Sequence, residues 1–195
     1  DLHYIEDRGD YLAVGAGITQ AELLEHPGLA EKVPLLAQAM PWIGHAQTRN
    51  RGTVCGSIAH ADPSAELPLC LTAPGGEVVL EARKGKTRKL PAHEFFQGIL
   101  TTAKRPDELI TEVAVRICGD RTDLTVGGVA DRPVRRSMTG NDARASWLNH
   151  FAWSLNAQDD AHASAVYRRH LVRELGSRLI DECSAQKDDT HAPQG

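Results

Sequence analysis

Residues 48–68, TRNRGTVCGSIAHADPSAELP, place hydroxyls at Thr53 and Ser57, a glycine at 56 and a run of backbone amides within a few positions of each other. Glycine lets the main chain approach a ligand closely and accepts a positive φ. Successive N–H groups in such a turn form a nest for an anion, and a helix opened just beyond would add the field of its dipole. Arg49 and Arg51 bring guanidinium groups, which suit phosphate geometry. Asp62 can cap a following helix or accept hydrogen bonds from a ribose. On local chemistry this is a candidate pyrophosphate site, with an ordinary structural turn as the alternative. Neither the GxxxxGK[ST] of a P-loop nor the GxGxxG of a dinucleotide-binding βαβ unit occurs.

The elements that must position these residues are legible on both sides. YLAVGAGITQ, residues 11–20, is an apolar run ended by glycines, a short strand and a tight turn. Thr19 with Glu22 three residues on has the spacing of a capping box, and Pro27-Gly28 stops the helix that follows. A second helix starts near Pro34 and ends or bends at Pro41. Residues 48–61 are expected as loop, and Asp62-Pro63 as N-cap and first residue of a helix carrying Ala65 to Leu71. Residues 75–92 read as a β-hairpin, HEFFQGI as a short helix or turn, and ELITEVAVRI as an edge or half-buried strand. LTVGGVA supplies one more strand. Residues 160–183 form an amphipathic helix with Val166, His170, Leu171, Leu175, Leu179 and Ile180 on one face, and 184–195 a polar tail. Trp42, Trp147 and Trp153 are expected to pack. Strands followed by single helices, without strict βαβ alternation, favour an α+β fold with a boundary near 116–120.

Composition removes several classes of function. The 195 residues carry 22 Lys+Arg against 26 Asp+Glu, and aromatics are 5%. No basic field or stacking platform points to nucleic acid. No run approaches the length of a membrane span. The four cysteines, at 55, 70, 118 and 183, form no CxxC pair. They read as free thiols of a soluble, cytoplasmic protein. The histidines show no ligand spacing. Cys55 is the odd residue of the nest. It costs about 1–2 kcal/mol if its backbone takes φ > 0, and otherwise acts as a small buried hydrophobe.

GHAQTRNRGTVCGSIAHADPSAELP resembles the second flavin-binding motif of the FAD-binding medium subunits of molybdenum hydroxylases, the xanthine dehydrogenase, carbon monoxide dehydrogenase and aldehyde oxidase family. LAVGAGITQAEL, DELITEVAV, LTVGGVADRPVR and DAHASAVYRRHLVREL resemble further family segments in family order. The resemblance implies a vanillyl-alcohol-oxidase/PCMH-type FAD-binding subdomain followed by a small C-terminal α+β domain with an antiparallel sheet. Residues 1–117 would be a partial FAD-binding domain, 118–183 the C-terminal domain and 184–195 the tail.

By the same resemblance, Thr53, Val54, Cys55, Gly56 and Ser57 would wrap the FAD pyrophosphate and Asp62 would lie near the adenosine ribose. Thr19 would belong to the flavin site, and Leu109 or Ile110 would lie near the isoalloxazine ring. The chain would pass electrons from iron–sulfur centres to an external acceptor, as one subunit of an oxidoreductase complex. Its partners would be a molybdenum-cofactor large subunit and a 2Fe-2S small subunit. A degenerate or truncated relative, keeping the fold as a scaffold or binding module without FAD, is the alternative. The family's A-G-G-x-S-L-x-P loop has no counterpart here. Cysteine stands at position 55 where the family has glycine, and the join VAVRICGDRTDL is tens of residues shorter than in the family.

Overall fold

A computed structural model describes residues 1–83, 85–117, 123–138 and 143–190, with 184–190 described as backbone only. The first two strands, β1 (Ile5–Asp7) and β2 (Tyr11–Gly15), form an antiparallel pair, followed by the short helix α1 (Gln20–Leu24). Gly15 must be glycine for a steric reason: a Cβ there would lie 2.3 Å from the Leu2 carbonyl oxygen. The capping box forms as expected, with Thr19 Oγ1 accepting from the Glu22 amide and Glu22 accepting from the Thr19 amide. Helices α2 (Leu29–Lys32), α3 (Pro34–Ala39) and α4 (Ala46–Arg49) follow, with Pro34 at the start of α3 and Pro41 inside a 3-10 turn, Met40–Trp42.

The stretch expected as loop is in fact helical over α5 (Val54–His60), because Thr53 caps it with a side-chain bond to the Gly56 amide. The next helix, α6 (Glu66–Thr72), starts later than expected, and Asp62 does not cap it. Asp62 instead closes a local turn: its Oδ1 accepts from the Ser64 amide at 2.8 Å and its carbonyl from the Ala65 amide at 3.1 Å. An aspartate that bonds two residues ahead competes with the helix start, and here the turn wins.

The hairpin is β3 (Glu77–Ala82) with β4 (Thr87–Pro91). After α7 (Ala92–Phe95) and the small ribbon β5 (Phe96–Gly98) and β6 (Thr101–Thr102), the chain enters β7 (Glu108–Arg116). The sheet order is β1-β2-β7-β3-β4, all antiparallel. The edge position, one of the two alternatives read for ELITEVAVRI, is therefore corrected: β7 is the central strand. Its burial explains the misreading, since Glu108 and Glu112 make it look half-solvated while both are buried. Each carboxylate is compensated. Arg88 forks onto Glu108 through Nε and Nη2 at 2.7 and 2.8 Å, and the Arg105 amide donates to it at 2.7 Å. Glu112 accepts from the Tyr4 hydroxyl at 2.8 Å and pairs with Arg8 at 3.0 Å. One apolar cluster, running from Leu12 to Val115 along the chain, fills the space between this sheet and the helices α1–α3 and α5–α7.

A second cluster is built on Leu124, Leu148, Phe151, Leu155, Val172 and Ile180. It joins β8 (Asp123–Val126) and β9 (Val134–Ser137), an antiparallel pair, to helices α8 (Arg144–Ser154) and α9 (Ala165–Thr190). The strand read over LTVGGVA ends at Val126, because Gly128 takes φ +70° and turns the chain. Helix α8 and strand β9 have no counterpart in the sequence reading. The residues read as a tail continue α9 to Thr190, and the expected boundary near 116–120 falls partly on residues outside the described set. The expected apolar face of α9 is rotated. Val172, Gly176 and Ile180 face the core, while Val166, Leu175 and Leu179 are exposed. Leu171, Leu175 and Leu179 line an open groove of about 550 Å³ with Leu124 and Val126. Of the tryptophans only Trp147 packs, tilted on Phe151 at 5.3 Å; Trp42 and Trp153 are exposed, the latter beneath the Arg169 guanidinium at 4.3 Å.

The Arg88–Glu108 pair gives a direct test. Arg88 and the Arg105 amide hold the Glu108 carboxyl down at about 2, below its ordinary 4.5. A carboxylate shifted downward stabilises fully above its unfolded pKa, and the contribution disappears as pH falls through the folded value. Arg88→Met should cost about 2 kcal/mol at pH 7. Denaturant unfolding should show that gap narrowing between pH 4.5 and pH 2.

Candidate functional site

Two helix starts meet side by side. Thr19 and Thr53, the N-caps of α1 and α5, form an antiparallel backbone bridge. The Val54 amide donates to the Ile18 carbonyl at 3.0 Å and the Gln20 amide to the Gly52 carbonyl at 2.9 Å. These bonds bring together residues that are 34 positions apart, the difference between 53 and 19. The positive ends of both helices consequently lie next to each other.

Three of the five amides of the expected nest are already engaged. Val54 N–H goes to Ile18, Gly56 N–H to the Thr53 hydroxyl oxygen at 3.0 Å, and Ser57 N–H to the Thr53 carbonyl at 3.2 Å. The site therefore offers side-chain hydroxyls and helix dipoles in addition to the amides not so engaged. Thr53 Oγ1 accepts from Gly56, which leaves its own hydrogen to donate outward. Gly56 is exposed and Ser57 half-buried, so this corner of α5 is open to a ligand. A Cβ at Gly56 would sit 2.8 Å from Thr53 Oγ1 and crowd the cap. Thr19 is spent differently: its hydroxyl donates to Glu22 Oε2 at 2.8 Å while accepting from the Glu22 amide. It shapes the site without a free donor.

Cys55 resolves the question its type raised. It lies within α5, outside the residues with positive φ, and is buried with Val54 in the main core. Its Sγ reaches the Val14 carbonyl at 3.8 Å. Burial, with the nearby Glu112 charge, pushes the thiol up to about 12. It is a packing residue. Arg49 turns back to the Ile43 and Gly44 carbonyls at 2.9 and 3.0 Å, closing its own loop, while Arg51 is exposed.

The remaining candidates lie at the margins. Asp62 follows the far end of α5, whose seven residues span about 10 Å. The Ala16 amide donates to the Thr111 carbonyl at 3.0 Å, which sets β7 against the turn leading to Thr19. On that strand Leu109 is 69% exposed and Ile110 only 7%, so of the two only Leu109 offers an apolar surface. Gln20 was missed by sequence reasoning. It is 5% exposed and its Oε1 has no hydrogen-bond partner among the described residues. A glutamine inside a helix carries no signal of that kind; only the close approach of Gly52 to its amide group reveals it. Among the described residues no His/Cys/Asp/Glu cluster could hold a metal ion, and no helix is long and apolar enough to cross a membrane.

The architecture is that of a PCMH-type FAD-binding fold with a small C-terminal antiparallel-sheet subdomain. Reconstituted CO dehydrogenase from Oligotropha carboxidovorans superposes with a TM-score of 0.82 over 92% of this chain and 77% of that one, at 22% identity. Quinoline 2-oxidoreductase from Pseudomonas putida 86 gives 0.81 over 93% and 77%, also at 22% identity. The sequence profile described as "FAD binding domain in molybdopterin dehydrogenase" matches residues 1–115. The nicotine 6-hydroxylase medium subunit of Paenarthrobacter nicotinovorans is 31% identical over 95% of this chain and 79% of its own length. The glyceraldehyde dehydrogenase medium chain of Sulfolobus acidocaldarius is 26% identical over 93% and 79%. The chain belongs to the FAD-binding medium subunits of the molybdenum hydroxylase family.

Thiol labelling followed by peptide mapping at pH 8 checks the reading of the cysteines. Cys183, which is exposed, should react readily, while Cys55 and Cys70, both buried and both raised to about 12, should stay unmodified until the protein unfolds.

Proposed function

We propose that this chain binds FAD across the joined starts of α1 and α5 and serves as the electron-transfer subunit of a molybdenum hydroxylase. The observation that supports the reading is the Thr19–Thr53 bridge, which sets two helix N-termini beside each other, with Gly56 exposed and Ser57 half-buried on α5. The residues present fit the cofactor. Thr53 and Ser57 hydroxyls would donate to the pyrophosphate, and glycine at 56 leaves room beside them. Val54 and Cys55 seat α5 in the core beneath. Thr19 fixes the geometry through its capping box. Asp62, one helix length away, would take the ribose hydroxyls, and Leu109 would present the apolar surface to the isoalloxazine ring. Ile110, packed in the core, would support the strand that carries Leu109. The buried Gln20 Oε1 offers an acceptor to a donor group of the cofactor.

When bound, FAD supplies the one- and two-electron chemistry that the side chains lack. The protein's own part is to bind, orient and shield. The neutral, high-pKa thiol of Cys55 keeps a competing redox group away from the flavin. Residues 1–117 form the FAD-binding unit in this reading, and residues 118–183 the C-terminal one. The partners are the molybdenum-cofactor large subunit and the 2Fe-2S small subunit, with electrons leaving to an external acceptor. Support for an assembly comes from relatives that are themselves named as medium subunits or chains.

Ser57→Asp places a carboxylate where the proposal puts a phosphate. Fluorescence titration with FAD should show affinity reduced about tenfold or more, from like-charge repulsion at close range. Circular dichroism should be unchanged, since Ser57 is a half-buried position on α5. Equal affinity in the two proteins would remove the pyrophosphate from this corner.

A further inference from the structure

The second half of the chain reaches the candidate cofactor site through one short relay. Arg168, near the start of α9, donates from Nη1 to the Gly128 carbonyl at 2.7 Å. Its other amino group pairs with Asp160. Asp160 is itself fixed, because its Oδ1 accepts the amides of His162 and Ala163 at 2.9 and 3.0 Å. Those amides and the guanidinium hold its carboxyl down at about 2, so it stays ionised at any working pH. Gly128 takes φ +70°, and in that conformation its amide points back across the subdomains to the Pro63 carbonyl at 2.9 Å. A Cβ at Gly128 would meet nothing within 4 Å, so the backbone angle alone requires glycine there.

Pro63 directly follows Asp62, the residue assigned to the ribose. Residues 61–65 have no regular secondary structure of their own, and Ala61 sits in the left-handed region at φ 53°. Such a turn keeps a carboxylate aimed only if its backbone is tied down. Its own ties are the Asp62 bonds to Ser64 and Ala65; from outside, the Leu100 amide holds the Ala61 carbonyl at 3.2 Å, and Gly128 holds the Pro63 carbonyl next to Asp62. Gly128 is in turn gripped on its carbonyl by a charged, forked donor that is only 18% exposed.

We propose that Arg168, held by Asp160, is a positioning residue for the adenosine end of the cofactor site, acting through Gly128 on the Asp62 turn. This deepens the FAD reading above and rests on it for the ligand, but the mechanical link is testable without one. Lysine cannot reproduce the fork, because it is a single point of donation. The relay also gives the C-terminal half a role in cofactor affinity although it contributes no residue to the pyrophosphate corner.

The test compares wild type, Arg168→Ala, Arg168→Lys and Asp160→Asn by amide hydrogen exchange without ligand and by FAD titration. Exchange in a peptide covering residues 64–67 should rise in Arg168→Ala, with the β2, β3 and β7 peptides unchanged. FAD affinity should fall about tenfold, the effect of losing a charge-assisted hydrogen bond, with Arg168→Lys intermediate. Unchanged exchange over 64–67 and unchanged affinity would overturn the proposal. So would exchange raised equally throughout the chain, which marks a merely structural residue. If Arg168→Ala does not fold, Asp160→Asn decides by the same two readouts. If wild type binds no FAD, the cofactor reading fails, while the exchange of residues 64–67 still decides whether the relay exists.

Discussion

The antiparallel bridge between Thr19 and Thr53 is the constraint on which the site depends. Two backbone bonds, Val54 to Ile18 and Gln20 to Gly52, hold two helix N-caps together. Neither α1, with five residues, nor α5, with seven, is long enough to be stable alone. They persist because α5 inserts Val54, Cys55 and Ile58 into the core and α1 inserts Leu23. The sheet under them is held by β7, whose buried glutamates are both paired. Disrupting either pair would disturb the strand that places Leu109 and the turn before Thr19. Site and core are thus one construction, in which the apolar residues of the motif pack and the small polar ones face outward.

Much of this was legible from residue type. The capping box at Thr19 and Glu22, the helix start at Pro34 and the hairpin over 75–92 each rest on local chemistry that tertiary structure did not override. Where reading failed, a non-local partner decided. The alternation at Ile110, Val113, Val115 and Ile117 read as an edge or half-buried strand, and only Arg88, Arg8 and Tyr4, distant in sequence, permit β7 with its two buried glutamates to be central. The helix at 54–60 was hidden because glycine, serine and cysteine disfavour helix, yet the Thr53 cap and three buried side chains outweigh those preferences. The face of α9 was misplaced because its leucines are periodic on an exposed stripe, whereas Gly176 supplies part of the buried one. A Cβ there would press on Leu148 at 2.9 Å, so a close helix contact replaces an apolar side chain.

The candidate site was found by its hydroxyls and glycine, and the structure changes what each contributes. Three of the five nest amides are committed to capping and to the bridge, so the proposed anion site leans more on side-chain hydroxyls and helix dipoles than the residue types alone suggest. Cysteine at position 55 is compatible with the site because it points into the core, away from the open corner where Gly56 lies. The resemblance to a molybdenum hydroxylase subunit, drawn from ordered motifs, agrees with the fold of the solved relatives and with the family match over residues 1–115.

The FAD pyrophosphate is proposed to lie at the start of α5. A crystal structure of the chain grown with FAD tests it most directly. Phosphate oxygens should lie within hydrogen-bonding distance of the Thr53 and Ser57 hydroxyls, with the ribose toward Asp62. FAD bound elsewhere, or bound with its phosphates directed away from Gly56, would contradict it.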